Sequence, residues 1–457
     1  MSNFHHIYLL GIGGIGMSAL ARYFKHAGCY VAGYDRTPSK LTQALEQEGI
    51  SIHYEDNVNS IPLPVLERPD STLVIYTPAI PHDLLEWNYL QQKEYRIIKR
   101  SQALGEIARS KTCLAVAGTH GKTTTTTLLA HIFAHSGVGC TAFLGGISKN
   151  YRSNLLLSHS PWLVAEADEF DRSFLQLHPH MAVVTAIDAD HLDIFGDYPT
   201  LEKAFVDFAA QIAPQGALVI KNGVKLPIPQ TADYQCYRYA LDQKADFYAS
   251  DICVTNEGTY SFSLHLLEET VDCRLSLPGR INIENGVAAA ALSYLNGISP
   301  RQIREALANF QGVERRFDIQ LNRPDCLYID DYAHHPVEVS ATLCSIKELF
   351  PHRKVTVIFQ PHLYSRTRDF ADDFGVSLSL ANELILLPIY PAREEPIEGV
   401  SSEMLLAKVN IRDKHLVQKE NLIDFLRTHP SDLLLTMGAG DIDRLVPQIK
   451  SLLEERR

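Results

Sequence analysis

The chain contains no Cys-x-x-Cys pair: its eight cysteines are scattered at positions 29, 113, 140, 236, 253, 273, 326 and 344. That scatter excludes the common zinc and dithiol motifs and a disulfide framework, so the thiols read as small buried side chains in a reducing compartment. Positive charge is also scarce, with 42 Lys and Arg against 54 Asp and Glu, a net charge of −12. Such a surface disfavours nonspecific nucleic-acid or anionic-membrane binding, though it leaves room for a local basic pocket around a phosphorylated ligand. No apolar run approaches the length of a membrane span, and Met1 to Tyr8 lacks the basic flank and apolar stretch of a signal peptide. These absences predict a cytoplasmic protein that binds neither nucleic acid nor membrane. A chain of 457 residues that is 46% hydrophobic and 21% charged has an ordinary globular composition but is too long for one core. About three domains are expected.

The most informative stretch is Ala115-Val116-Ala117-Gly118-Thr119-His120-Gly121-Lys122-Thr123-Thr124, which leads into Leu128-Leu129-Ala130-His131-Ile132-Phe133. A short apolar strand, a Gly-x-x-Gly-Lys-Thr turn and a helix form a cradle for a nucleoside triphosphate. Gly118 and Gly121 let backbone N–H groups close on phosphate oxygens, Lys122 supplies a point charge, and the Thr123 hydroxyl can hold magnesium. Val116 stands where the general phosphate-loop pattern has glycine. Read as a bare turn, the segment leaves the order of lysine, threonine and helix start unexplained.

A second glycine loop lies at the start. His6 to Leu10 reads as a buried strand, Gly11-Ile12-Gly13-Gly14-Ile15-Gly16 follows, and a helix spans Met17 to Ala27. The next strand, Cys29 to Tyr34, ends at Asp35, about where a dinucleotide fingerprint places its ribose-binding carboxylate. The physical content is a diphosphate at a helix N-terminus with a carboxylate for a ribose hydroxyl, and a UDP-sugar offers the same groups as NAD.

Acidic residues gather at the ends of two apolar strands: Glu166-Ala167-Asp168-Glu169 after Trp162 to Ala165, and Asp188-Ala189-Asp190-His191-Leu192-Asp193 after Met181 to Thr185. In a phosphate-loop domain these are places for metal ligands, although helix caps and solvated turns use the same residue types. Residues 234–276 alternate polar and apolar, which predicts antiparallel strands, and an alanine-rich helix follows at Val287 to Leu295. Near its start, Asn282 and Glu284 read as caps, and Asn285 reads as a cap or as a contact to a base or ribose. Three further strands end in polar clusters: Asp331-Tyr332-Ala333-His334-His335, Gln360-Pro361-His362-Leu363-Tyr364-Ser365-Arg366, and Pro388-Ile389-Tyr390-Pro391-Ala392-Arg393. They define one rim of a third α/β domain. No spaced acidic or cysteine partner completes a zinc site with His334, His335 and His362, so hydrogen-bonding roles are expected there.

Gly-Ile-Gly-Gly-Ile-Gly-Met-Ser, Gly-Thr-His-Gly-Lys-Thr, Glu-Ala-Asp-Glu, Asp-His-Leu-Asp, Arg-Arg-Phe, Asp-Asp-Tyr-Ala-His-His-Pro and Gln-Pro-His-Leu-Tyr-Ser-Arg-Thr occur here in order. Together they resemble the Mur ligases, ATP-dependent amide-forming enzymes of peptidoglycan synthesis with three α/β domains, and within them the alanine-adding branch. The resemblance spans essentially the whole chain and accounts for Val116, because the family's loop is the short form. It implies a Rossmann-like UDP-binding domain at residues 1–105, a central P-loop ATPase-like mixed-sheet domain at 106–313 and a Rossmann-like amino-acid domain at 314–457. The implied substrates are UDP-N-acetylmuramate, L-alanine and ATP.

The site residues implied by resemblance follow domain by domain. Gly11, Gly13, Gly14, Ile15, Gly16 and Asp35 hold the UDP-sugar. Gly118, Thr119, His120, Gly121, Lys122, Thr123 and Thr124 hold ATP phosphates, Asn285 the base, Arg316 the phosphates and Asp331 the ATP ribose. Thr123, Glu166 and His191 hold two magnesium ions, with manganese as a substitute. Lys122, His191 and Arg316 carry the catalysis, and Tyr332, His334, His362 and Arg366 line the amino-acid pocket. Relatives that add later amino acids carry a carbamylated lysine about fourteen residues after the magnesium histidine, where this chain has residues near Phe205, so no modified lysine is expected. Some alanine-adding relatives have arginine in place of Leu363. The expected assembly is a monomer or homodimer. The rival readings are a recycling ligase joining a tripeptide to the same UDP-sugar, an NAD-dependent oxidoreductase built on residues 11–35, and a noncatalytic nucleotide-binding regulator.

Overall fold

The computed structural model of the chain describes residues 4–81, 83–189, 192–228, 232–255, 258–392 and 394–455. The first sheet has five strands in the spatial order Ser51–His53, Tyr30–Tyr34, His6–Leu10, Thr72–Tyr76, Arg96–Lys99. All neighbours pair in parallel. Side chains alternate across a strand, and both faces of a parallel sheet are covered, so every residue of His6–Leu10 is buried. Ile7 and Leu9 pack with Met17, Leu20 and Phe24 of the helix Ile15–His26, while Tyr8 and Leu10 join Val65 and Leu90 on the other face.

Seven neighbouring strands of a ten-stranded sheet follow the order Gln235–Leu241, Ala217–Lys221, Met181–Val184, Thr112–Ala117, Trp162–Ala167, Thr141–Ser148, Ser153–Leu156. The last pair is antiparallel, with the phosphate-loop strand Thr112–Ala117 parallel to its two neighbours. The antiparallel expectation for residues 234–276 fails at its start. Gln235–Leu241 pairs in parallel with Ala217–Lys221, and its residues Tyr239–Leu241 pair in parallel with Phe247–Ala249. The period-two alternation that marks a half-buried strand is the same for either direction, so it could not distinguish them. The alanine-rich helix begins at Arg280, seven residues earlier than its apolar run suggests. Asn285 therefore lies inside the helix and is not its cap.

The third sheet orders its six strands Asp318–Asn322, Leu327–Asp331, Leu433–Met437, Val355–Phe359, Glu383–Leu386, Asp413–Leu416. Only the first pair is antiparallel. The chain divides into two compact units, Met1–Ile252 with Phe262–Arg274 and Glu284–Phe310, and Cys253–Ser261 with Leu275–Ile283 and Gln311–Arg457. In the first unit one apolar core runs from Ile7 through Phe143 and Leu163 to Leu226, uniting the first sheet with the phosphate-loop sheet. In the second, Tyr328, Ile358, Ile385 and Leu434 pack with Ile449 and Leu453. Among the described residues no helix is long and apolar enough to cross a membrane.

Candidate active site

The strand Thr112–Ala117 delivers the chain into a turn that only glycine can make. Gly118 has φ +132°, and a Cβ there would lie 2.1 Å from Thr185 Oγ1 and 2.9 Å from the Thr185 backbone nitrogen. Gly121, at φ +77°, is the N-cap of the helix Lys122–His135, and its Cβ would meet Asn285 Oδ1 at 2.6 Å. The loop is pinned from outside: Thr119 N donates to Ala186 O at 3.0 Å, and Asp188 N donates to Thr119 Oγ1 at 3.1 Å. His120 Nε2 lies 3.2 Å from Asp188 Oδ2. Thr124 is buried, and the Thr125 hydroxyl donates to Asn285 Oδ1 at 3.2 Å. Asn285 thus supports the loop from below.

Lys122 and Thr123 open the helix on two different carboxylates. Lys122 Nζ donates to Gly118 O at 2.8 Å and to both Glu169 oxygens at 2.8 and 2.9 Å. Glu169 is 0% exposed. Burial works against the Lys122 ammonium, but the charges of Glu169, Asp168 and Glu166 outweigh it and hold its pKa above the ordinary lysine value. Thr123 Oγ1 donates to Glu166 Oε2 at 3.0 Å. A Cβ at Gly145 would come within 2.0 Å of Glu166 Oε2 and 2.9 Å of Thr123 Oγ1, so glycine there leaves the hydroxyl and carboxylate a shared opening. A hydroxyl and a carboxylate side by side at a phosphate loop are the oxygen donors that magnesium takes, with its remaining positions filled by phosphate and water. Thr123 and Glu166 fit that group. His191, expected to hold a second ion, lies outside the described residues. Among the described residues no group of three or more His, Cys, Asp or Glu side chains is arranged to hold a metal.

The N-terminal loop uses the same backbone logic with no lysine or arginine among its own residues. Gly11, at φ +81°, sits where a Cβ would be 2.5 Å from Thr77 Cγ2, and its N–H donates to Tyr34 O at 2.8 Å. Gly13 N donates to Asp35 Oδ2 at 2.7 Å, and Thr37 N to Asp35 Oδ1 at 3.1 Å. Gly14 is the N-cap of the helix Ile15–His26 and offers no capping side chain. A cavity of about 260 Å³ opens here, lined by Gly14, Ile15 and Gly16 on one side and by Gly145 and Glu166 on the other. Its lining reaches from the N-terminal loop to Glu166, the carboxylate that accepts the Thr123 hydroxyl.

The remaining expected residues lie in the second unit. Arg316 stands 4.8 Å from the centre of the Tyr332 ring, and Arg315 5.2 Å. The Tyr332 and His334 rings are 5.2 Å apart, and His334 and His362 6.2 Å. His334 Nδ1 is 2.9 Å from Tyr332 O. Arg366 is buried in the short helix Tyr364–Asp369. Asp331 is committed to the backbone: Phe317 N and Ala333 N each donate to one of its oxygens at 2.7 Å. Burial pushes its carboxyl up to about 6, against the pull of Arg316 and those two N–H groups.

Sequence reasoning missed Glu169 as the partner of Lys122, Asp188 as the partner of His120, and Asn285 as a support of the loop. Glu169 was within reach as a signal: it closes the Glu-Ala-Asp-Glu run and is followed by Phe170.

The comparisons with known proteins agree along the chain. The Mur ligase family, catalytic domain, matches residues 6–112, the Mur ligase middle domain residues 116–293, and the Mur ligase, glutamate ligase domain residues 315–440. The UDP-N-acetylmuramate--L-alanine ligase of Parabacteroides distasonis is 50% identical over 98% of this chain and 97% of its own length. That of Christiangramia forsetii is 46% identical over 99% and 98%. The crystal structure of the UDP-N-acetylmuramate-alanine ligase of Thermotoga maritima, 27% identical, superposes with a TM-score of 0.83 over 99% of this chain and all of the other. With three Mur ligase models matched in order along the chain and a relative at half identity over almost its full length, the chain belongs to the Mur ligase family.

Proposed function

We propose that the protein joins L-alanine to the carboxylate of UDP-N-acetylmuramate with cleavage of ATP to ADP and phosphate, in cytoplasmic peptidoglycan precursor synthesis. One observation carries the reading. Lys122 and the Thr123–Glu166 pair form a triphosphate cradle, and Glu166 lines the same cavity as a second glycine loop whose own residues, Gly11 to Gly16, include no lysine or arginine. One loop suits the nucleotide that is cleaved, and the other suits the diphosphate of a substrate that is only held.

The muramoyl carboxylate attacks the γ-phosphorus of ATP in line, ADP leaves, and an acyl phosphate forms. The amine of L-alanine then attacks the acyl carbon, a tetrahedral intermediate expels phosphate, and the amine proton passes to a base. Lys122, released from Glu169 to the β- and γ-phosphates, offsets charge that develops on the transferred group. Thr123 and Glu166 would hold magnesium, which would supply further positive charge to the transferred group, and by family resemblance His191 would hold a second ion. By family resemblance Arg316 serves the phosphates, Asp331 the ribose, and Tyr332, His334, His362 and Arg366 the amino acid. The fork of Arg366 is the natural partner for the alanine carboxylate. Domain limits at residues 105 and 313, and a monomer or homodimer, belong to the same reading.

The test is phosphate release from ATP and magnesium, with UDP-N-acetylmuramate present and L-alanine, glycine, L-serine or the tripeptide as acceptor. Release that needs both the UDP-sugar and L-alanine, with a product heavier by one alanyl residue, is expected. Release only with the tripeptide would assign the recycling reaction instead.

A further inference from the structure

Arg100 has no role in the reaction just described, yet it lines the cavity at the N-terminal glycine loop. Its position follows from the order of the first sheet. The strands His6–Leu10, Thr72–Tyr76 and Arg96–Lys99 are parallel neighbours, so the residues after each emerge on the same edge. Those residues are the loop from Gly11 to Gly16, Thr77, and Arg100. Strand order reverses at His6–Leu10, and the crevice outside the carboxyl ends at such a point is where an open parallel sheet takes its ligand.

The guanidinium is seated against the loop itself. A Cβ on Gly16 would lie 2.8 Å from Arg100 Nη1 and 3.0 Å from its Cδ, so the last glycine of the loop makes room for this side chain. Arg100 also faces an acid, with Nη2 3.6 Å from Asp168 Oδ2. The preceding residue makes a parallel contact, Lys99 Nζ to Asp171 Oδ2, at 2.9 Å. Two consecutive bases thus meet two acids that follow the strand Trp162–Ala167, and the Arg100 pair is the looser. A fork donor aimed at a loop beside a helix N-terminus, loosely held by a carboxylate, is arranged to exchange that carboxylate for a better anion.

We infer that Arg100 binds the diphosphate of the UDP-sugar, that Asp168 holds its guanidinium in the absence of that substrate, and that Gly16 exists to admit it. This rests on the reading of the first glycine loop as the UDP site. It supplies the cation that the loop lacks.

Calorimetric titration of the full-length protein with UDP, UMP, UDP-N-acetylmuramate and ATP tests it. Arg100→Gln is expected to weaken UDP and UDP-N-acetylmuramate binding alike, about tenfold, and to leave UMP and ATP affinity unchanged. Arg100→Lys keeps the charge but not the fork and should fall between the two. Asp168→Asn removes the competitor and should tighten UDP binding a few-fold. If Arg100→Gln and Arg100→Lys bind UDP as the wild type does, the inference is wrong. A loss confined to UDP-N-acetylmuramate, with UDP unaffected, would place the guanidinium on the muramoyl carboxylate and overturn the diphosphate assignment. No binding of UDP to the wild type would instead remove the reading of the loop itself. Unchanged ATP affinity in every variant separates a binding role from a general loss of structure.

Discussion

The two glycine loops of the first unit share one backbone design and differ in what surrounds it. Each follows a buried parallel strand, each has a first glycine at positive φ, and each opens a helix of at least three turns. The loop at Gly118–Gly121 is followed by a lysine hydrogen-bonded to one carboxylate and a threonine hydrogen-bonded to another. The loop at Gly11–Gly16 has Asp35 holding the Gly13 N–H, and an arginine that comes from a different strand. Backbone geometry makes an anion site, whereas the local charges decide whether the anion is cleaved or only held.

The largest effect is expected at Lys122. Lys122→Ala should lower turnover about a thousandfold or more, since it removes a preorganised charge from phosphoryl transfer. It also strands Glu169, which is 0% exposed, and an unpaired buried carboxylate costs about 3 kcal/mol. Lys122→Ala combined with Glu169→Gln should therefore recover most of the stability in urea titration and none of the activity. Recovery of activity would remove Lys122 from the mechanism.

A matched pair of glycine substitutions sharpens the contrast. Gly13→Ala places a Cβ 2.7 Å from Asp35 Oδ2 and 2.8 Å from Thr42 Cγ2, and Gly121→Ala places one 2.6 Å from Asn285 Oδ1. The first should raise the KM for UDP-N-acetylmuramate about tenfold with the KM for ATP unchanged, and the second should do the reverse. Equal effects of both variants on both substrates would mean that the loops do not divide the ligands.

The smallest effect concerns a second buried carboxylate, this one beside a histidine and a tyrosine. Glu86 is 0% exposed, accepts the Tyr8 hydroxyl at 2.5 Å and lies 3.4 Å from His53 Nε2. Burial pushes its pKa up to about 7, against the hydrogen bonds from Tyr8 and the Asn57 N–H. The folded state therefore binds the proton more tightly than the unfolded chain does. The resulting stabilisation is complete below the ordinary carboxylate range and is lost as pH rises through about 7. Between pH 5 and 8 the wild type should lose about 2 kcal/mol relative to Glu86→Gln in denaturant melts. Parallel pH profiles for the two proteins would show that Glu86 stays ionised in the fold.

Both loops were legible in the sequence because their demands are local: glycines at set spacing, a strand before and a helix after. The acidic strand ends were legible for the same reason, and the structure joins Glu166 to Thr123. The partners that come from elsewhere in the chain were not legible. Glu169 reaches Lys122 across 47 positions, and Asn285 meets Thr125 across 160. Asp331 was expected at the ATP ribose by family resemblance alone, and its hydrogen bonds from Phe317 N and Ala333 N, which fix the carboxylate, were not legible in the sequence. Strand direction at residues 235–249 was hidden because the alternation of side chains carries no sign.

The division of labour between the loops requires that the carboxylate of the held substrate receive the phosphoryl group of the cleaved one. The most direct measurement is a single reaction with UDP-N-acetylmuramate labelled with oxygen-18 in its muramoyl carboxylate, followed by mass spectrometry of the released phosphate and the alanyl product. Transfer of one labelled oxygen to each phosphate, with the other retained in the new amide, is the expected result. Unlabelled phosphate released alongside amide formation would contradict it, because the carboxylate would then never have carried the phosphoryl group.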